Sequence, residues 1–217
     1  MTDIASRQDD LRKMLTAAKV IPVLTIERVP DAVPLAHALV AGGVHTLEIT
    51  LRTAAAVEAA KAVIAEVPDA IVGIGTVLSA ADFERAQKLG ARFTVSPGAT
   101  PALLEAAAKS DLPLLPGVAT ASEVMLARDY GFDTLKFFPA EQAGGRAMLR
   151  AWAGPFPDLR FCPTGGITEA NAAEWLGEPQ VLAVGGSWIC PVASVRAGDW
   201  AGITAMCART MKSLSPR

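Results

Sequence analysis

The sequence predicts an α/β chain folded as a single (β/α)8 TIM barrel with an extra N-terminal helix. Three observations predict it: eight short runs rich in aliphatic and β-branched residues, alanine-rich segments of helical period between them, and a strand-to-strand repeat of roughly 20 to 26 residues without a linker. A chain of 217 residues is long enough for such a barrel to form one unit. The expected domain is 1–217, comprising a helix over 1–19, the barrel over 20–190 and a helical tail over 191–217.

In chain order, a helix near 3–18 precedes the first strand, "VIPVLTI" (20–26). The turn signal "VPD" then opens a helix over 31–41 that Gly42 ends, and "TLEITLR" (46–52) follows as the second strand. A helix over 54–66 and a second "VPD" at 67–69 lead to "IVGIGTV" (71–77). Helices near 79–89 and 100–109 alternate with "ARFTVSP" (91–97) and "LPLLPGV" (112–118), and Gly90 and Gly131 mark helix ends. The remaining strands read "TLKFFP" (134–139), "RFCPTGG" (160–166) and "VLAVGGS" (181–187), separated by helices near 121–130, 144–153 and 168–176, with a closing helix over 199–213. The competing topology is an open doubly wound sheet. It calls for a Gly-rich fingerprint after the first strand, and none stands there.

Strand parity exposes one anomaly. In "TLKFFP", Leu135 and Phe137 share the face suited to the helices, which turns Lys136 inward with Thr134 and Phe138. In "TLEITLR", Leu47, Ile49 and Leu51 face the helices, so Glu48 and Arg52 turn inward as well. Strands two and six of an eight-stranded barrel lie across the axis from each other, and the interior is just wide enough for side chains to fill. Lys136 and Glu48 are therefore expected to meet, with Arg52 about 13 Å further along the strand, near the mouth. An ion pair that merely fills the interior is the bland alternative, but well-packed apolar residues often serve stability as well or better.

A lysine in an enclosed pocket suits covalent carbonyl chemistry, because burial favours the neutral amine that attacks. A facing carboxylate favours the cation instead, and would stabilise an iminium and carry protons once one forms. "PTGGI" and "VGGSW" end the last two strands, where many barrels bind phosphate. Their glycines let backbone approach an anion closely, which selects Gly165, Gly166, Gly185 and Gly186. Thr76 and Thr164 also stand at strand ends, and Pro97 in "VSPG" could wall the pocket.

Composition narrows the partners. Only 19% of residues are charged and the net charge is −2, without the basic stripe that nucleic acid requires. No apolar run is long enough to span a membrane. Three cysteines without framework spacing suit a reducing, cytoplasmic setting, and the two histidines, His37 and His45, form no metal-ligand cluster. No metal or other cofactor is expected.

The motifs "VAGGVHTLEITLRT", "AIVGIGTVL", "VSPG", "LPLLPGVATASE", "LKFFPAE", "GPFPDLRFCPTGGI" and "VGGSW", in that order, resemble the bacterial 2-keto-3-deoxy-6-phosphogluconate aldolase family, also described as 4-hydroxy-2-oxoglutarate aldolases. The resemblance implies a class I aldolase on a (β/α)8 barrel, usually a homotrimer, acting on a small keto acid phosphate. It implies Lys136 as the Schiff-base residue and Glu48 as general acid/base. Arg52 and Thr76 would contact the substrate, chiefly at its carboxylate end; Pro97 and Phe138 would wall the pocket. Thr164, Gly165, Gly166 and Ser187 match substrate- and phosphate-binding positions. A phosphate-binding epimerase or a non-catalytic sugar-acid sensor are the other readings, and neither needs a covalent lysine.

Overall fold

Helix α1 (Ile4–Ala18) runs beneath the strands rather than beside them. In this computed structural model, which describes residues 3–214, Leu11 and Leu15 of α1 are buried among the inward-facing side chains of Ile21, Phe93, Val95, Leu115 and Cys162. Polar groups fix the helix in place. Arg7 donates to the carbonyls of Ala107 and Ala108 at 3.1 and 2.8 Å, and the Gln8 side-chain oxygen accepts the N–H groups of Asp133 and Thr134 at 3.3 and 3.0 Å.

The chain continues as β1 (Val20–Leu24), α2 (Val29–Ala41), β2 (Thr46–Thr50), α3 (Ala56–Glu66), β3 (Ile71–Gly75), α4 (Ala80–Lys88) and β4 (Phe93–Val95). Then come α5 (Pro101–Ala108), β5 (Leu114–Leu115), β6 (Gly117–Val118), α6 (Ala121–Asp129) and β7 (Thr134–Phe137). The last elements are α7 (Gly145–Trp152), β8 (Arg160–Pro163), α8 (Ala172–Leu176), β9 (Val184–Gly186), α9 (Val192–Ala197) and α10 (Trp200–Ser213). Several helices start where the sequence supplies an acceptor for an unpaired N–H. Ser79 caps α4, Thr100 caps α5, and Thr120 with Glu123 forms a capping box on α6.

Pairing is parallel throughout, in the orders β5-β4-β3-β2-β1-β9 and β6-β7-β8. The run 112–118, expected as one strand, is two short strands. Pro116 has no N–H to give and interrupts the ladder; Leu114–Leu115 pairs with β4, and Gly117–Val118 pairs with β7. At the other seam, bridges between Phe161 and Val181 and between Thr164 and Gly185 join the β8 run to the β9 run. The result is an α/β fold with a curled parallel sheet.

Curling divides the apolar residues into two sets. Leu47, Ile49, Val72, Ile74, Leu135 and Phe137 belong to the large cluster between strands and helices, as alternation predicts. Phe137 there meets Trp152 edge-on, ring centroids 5.3 Å apart, and Trp175 at 6.4 Å. The smaller set lies inside the curl, above α1.

The expected helices form, usually within two or three residues of their expected ends; the expected helical tail over 191–217 also holds α9, whose separate bounds the sequence did not mark. That helix has six residues, too few for a periodic pattern to show. Residues 1–2 of the expected N-terminal helix and 215–217 of the expected tail lie outside the described residues. Among the described residues, no helix is long and apolar enough to cross a membrane.

Because Leu15 is fully buried at the foot of the sheet, Leu15→Ala is expected to lower the unfolding free energy by about 2–5 kcal/mol. A reduced urea midpoint at unchanged m-value checks this.

Candidate active site

Two strands with hydrophobic outer faces bring opposite charges together inside the curl. Leu47 and Ile49 hold β2 against the helices, which turns Glu48 inward; Leu135 and Phe137 do the same for Lys136 on β7. Lys136 Nζ lies 3.6 Å from Glu48 Oε1, with side chains only 3% and 4% exposed. That separation makes an ion pair but not a direct hydrogen bond. Glu48 Oε1 consequently has no hydrogen-bond partner, an uncommon condition for a buried carboxylate oxygen.

Glycines let the neighbours close in around the pair. Glu48 stands in register with Gly73, and Lys136 with Gly117. A side chain on Gly73 would collide with the Phe93 ring, and one on Gly117 with the backbone of Pro97. Gly75 matters most: a Cβ there would overlap the Glu48 carboxylate itself. The bare Cα of Gly75 is the surface on which that carboxylate rests.

Above the pair, a cavity of about 330 Å³ is lined by Arg52, Phe138, Thr164, Gly165, Gly166, Gly185, Gly186 and Ser187, together with Val23, Thr25, Ile167 and Val192. Arg52 is the only charged residue in that lining. The Phe138 ring links the levels, with its centroid 5.1 Å from Lys136 Nζ. A larger depression of about 530 Å³ lies at the other end of the strands, against α1, among Asp10, Arg92 and Asp111. Neither lining includes Lys136 or Glu48, but Phe138 ties the smaller cavity to Lys136, so chemistry rather than size selects the site.

Two expected positions reach the site differently than expected. Arg52 lies beyond the end of β2 at Thr50, so it is a loop residue rather than a strand residue. Simple alternation sends Thr76 with Val72 and Ile74 toward the helices. Instead Thr76 has a left-handed backbone, φ 58°, rare for a β-branched residue, and its hydroxyl accepts a hydrogen bond from Arg52 Nε at 3.1 Å. Pro97 does not line the cavity; its backbone abuts Gly117, beside Lys136 in register.

The paired glycines also have conformational reasons to be glycine. Gly165 and Gly166 have φ of 100° and 78°, a region L side chains avoid. Cβ atoms on Gly185 and Gly186 would meet Thr164 and the Trp188 ring. Neither pair begins a helix: α8 starts at Ala172 and α9 at Val192.

Gly73, Gly75, Val23 and Thr25 were not anticipated. A signal existed for each. Gly73 and Gly75 occupy successive inward positions of β3, and Val23 and Thr25 follow Ile21 on the inward face of the β1 run.

An amine and a carboxylate delivered to one enclosed point by a curled parallel sheet place the chain among α/β lyases of the aldolase class. The chain belongs to the KDPG and KHG aldolase family, whose model matches residues 11–206. The KHG/KDPG aldolase of Escherichia coli K12 is 51% identical over 191 residues, 88% of this chain and 90% of that protein. Among solved structures, KDPG aldolase from Legionella pneumophila, with pyruvate captured at low pH as a covalent carbinolamine intermediate, superposes with a TM-score of 0.90 at 47% identity. It covers 92% of this chain and 97% of its own. The 2-keto-3-deoxy-6-phosphogluconate aldolase of Zymomonas mobilis ZM4 with 3-phosphoglycerate gives 0.89 at 48% identity, covering 94% and 95%.

Cys162 stands in register with Lys136 on the neighbouring strand. Burial pushes its thiol up to about 12, with the Lys136 charge pulling the other way. Burial also raises Cys190 to about 12 and Cys207 to about 11. A raised pKa keeps all three thiols protonated at pH 8, and the thiolate is the nucleophile. Iodoacetamide at pH 8 is thus expected to leave Cys162 unmodified in the native protein and to alkylate it in guanidinium, as read by intact and peptide mass.

Proposed function

We propose that this chain is a class I aldolase that cleaves 2-keto-3-deoxy-6-phosphogluconate to pyruvate and glyceraldehyde 3-phosphate, and that it also cleaves 4-hydroxy-2-oxoglutarate to pyruvate and glyoxylate. The observation that carries the reading is the buried Lys136–Glu48 pair at 3.6 Å, with a carboxylate oxygen left unpartnered. Such a pair is a poor device for stability, since apolar replacements are often neutral or better. It is a good device for imine chemistry. Family membership and the names of the relatives support the same reaction.

In the proposed mechanism, neutral Lys136 Nζ attacks the C2 ketone to give a carbinolamine. Glu48, as the acid, protonates the C2 hydroxyl, which leaves as water and forms the iminium. Its free carboxylate oxygen then takes the proton of the C4 hydroxyl. The C3–C4 electrons flow into the iminium, releasing glyceraldehyde 3-phosphate and leaving an enamine. Protonation at C3 and hydrolysis free pyruvate and restore the amine. Arg52, held by Thr76, would bind the substrate carboxylate, and Phe138 would shape the wall, with Pro97 set behind it against Gly117. Thr164, Gly165, Gly166, Gly185, Gly186 and Ser187 would receive the phosphate; the cavity they line carries no acidic residue to repel it.

We further infer that the two sheets close as one (β/α)8 barrel in a single domain. The strand split at Pro116 pairs on one side with β4 and on the other with β7, and the bridges join the β8 and β9 runs. A cytoplasmic homotrimer without nucleic-acid partners completes the reading; the family and the small net charge of −2 support it.

Borohydride reduction in the presence of pyruvate is expected to place one reduced pyruvyl group on Lys136 alone. Peptide mass mapping reads it, and an adduct elsewhere, or none with activity intact, removes the mechanism. Lys136→Met is expected to abolish turnover while circular dichroism stays native. Ser187→Ala is expected to raise KM for the phosphorylated substrate selectively. Gly75→Ala, which forces the Glu48 carboxylate aside, is expected to lower kcat by about 10²-fold or more, the scale on which positioned acid–base groups act.

A further inference from the structure

The acidic residue of "LKFFPAE", Glu141, has no part in the chemistry above and does not line the cavity, yet it supports one wall of it. Its Cβ and Cγ lie where a side chain on Gly166 would have to go, so it backs the Gly165–Gly166 turn from behind. Its backbone N–H donates to the Gly165 carbonyl at 3.1 Å, and the preceding Ala140 N–H donates to the Thr164 carbonyl at 2.8 Å. Glu141 Oε1 in turn accepts two hydrogen bonds, from Trp175 Nε1 at 3.0 Å and from Asn171 Nδ2 at 3.2 Å. Trp175 is completely buried on α8, so the carboxylate is anchored to a rigid element.

Asn171 completes the clamp. Its Nδ2 also donates to the Gly166 carbonyl at 3.2 Å, and its Oδ1 accepts the Thr168 N–H at 2.8 Å. One amide thereby ties both ends of the segment 166–168 to Glu141. Both glycines of the turn are in left-handed conformations, which glycine adopts freely but also leaves freely. Such a turn keeps one shape only if something outside it imposes that shape. The side chains that impose it belong to Glu141 and Asn171.

We propose that Glu141 and Asn171 are positioning residues for phosphate recognition. By holding the Gly165–Gly166 turn in one conformation they set the preference for a phosphorylated over an unphosphorylated keto acid, without touching the reacting carbons. The inference rests on reading the cavity as the phosphate pocket of an aldolase. It accounts for an acidic side chain next to an anion site: the Oε1 that receives both N–H donors faces the turn's supports, and the charge is spent on holding structure.

The test compares cleavage of 2-keto-3-deoxy-6-phosphogluconate and 4-hydroxy-2-oxoglutarate by wild type, Glu141→Ala, Glu141→Gln and Asn171→Ala. Glu141→Ala and Asn171→Ala are expected to raise KM for the phosphorylated substrate about tenfold, equivalent to about 1.4 kcal/mol, with kcat within about twofold. Their kcat/KM for the unphosphorylated substrate should stay within about twofold of wild type. Glu141→Gln retains the Cβ–Cγ bulk and an acceptor oxygen, and is expected to restore most of the phosphate preference. Inorganic phosphate should inhibit the unphosphorylated reaction of both alanine variants more weakly than that of wild type. Equal losses on both substrates, or a lowered Tm with no KM split, overturn the proposal. If Glu141→Ala does not fold, Asn171→Ala, which leaves the Trp175 contact in place, decides the matter alone. A wild-type protein that cleaves neither substrate and forms no pyruvyl adduct overturns the aldolase reading as well; normal wild-type cleavage and adduct with no split in the variants overturns this inference only.

Discussion

The charged pair inside the sheet imposes demands on nearly everything around it. Taking an ammonium and a carboxylate out of water carries a penalty of several kcal/mol per ion even after relaxation, and at 3.6 Å the two side chains do not satisfy each other fully. The surroundings must therefore be rigid enough to keep water from flooding in and spacious enough to admit a reactant. Outer-face Leu47, Ile49, Leu135 and Phe137 lock the two strands by packing under the helices. Inner-face glycines on neighbouring strands let Phe93, Pro97 and the Glu48 carboxylate close in around the site. The helix layer and the glycine pattern are two sides of the same requirement.

Much of this could be read from alternation alone. The period-two pattern in "TLEIT" and "TLKF" put Glu48 and Lys136 on the inner face, and eight repeats of βα length supplied the geometry to bring them together. Alternation failed where strands end. Thr76 is turned by a left-handed backbone after Gly75, and no residue type announces that at a threonine. Arg52 reaches the cavity from a loop, where strand rise is no guide to position. Pro116 split one expected strand in two, because proline has no N–H to give the ladder.

The glycines teach a different lesson. Paired glycines at Gly165–Gly166 and Gly185–Gly186 read from sequence as a signal for anion binding, yet each has a steric or conformational cause independent of any ligand. Isolated glycines in a strand, as Gly73 and Gly75 are, usually mean weakness. Their meaning depends on what lies opposite, the Phe93 ring and the Glu48 carboxylate, and that is tertiary information. Backbone freedom and bareness are legible in a sequence; the neighbour that exploits them is not.

Helix α1 carries a last consequence. With Leu11 and Leu15 wedged among Ile21, Phe93 and Cys162, the lower end of the curled sheet is stoppered by hydrocarbon. Traffic to the amine is then barred from that end and runs from the side where Arg52 and Phe138 line the cavity. A reaction that makes two products from one reactant must discharge them in succession through that opening, and the fragment still bonded to nitrogen waits behind. In the proposed cleavage the aldehyde departs first and the keto acid last, an order dictated by architecture and covalency together.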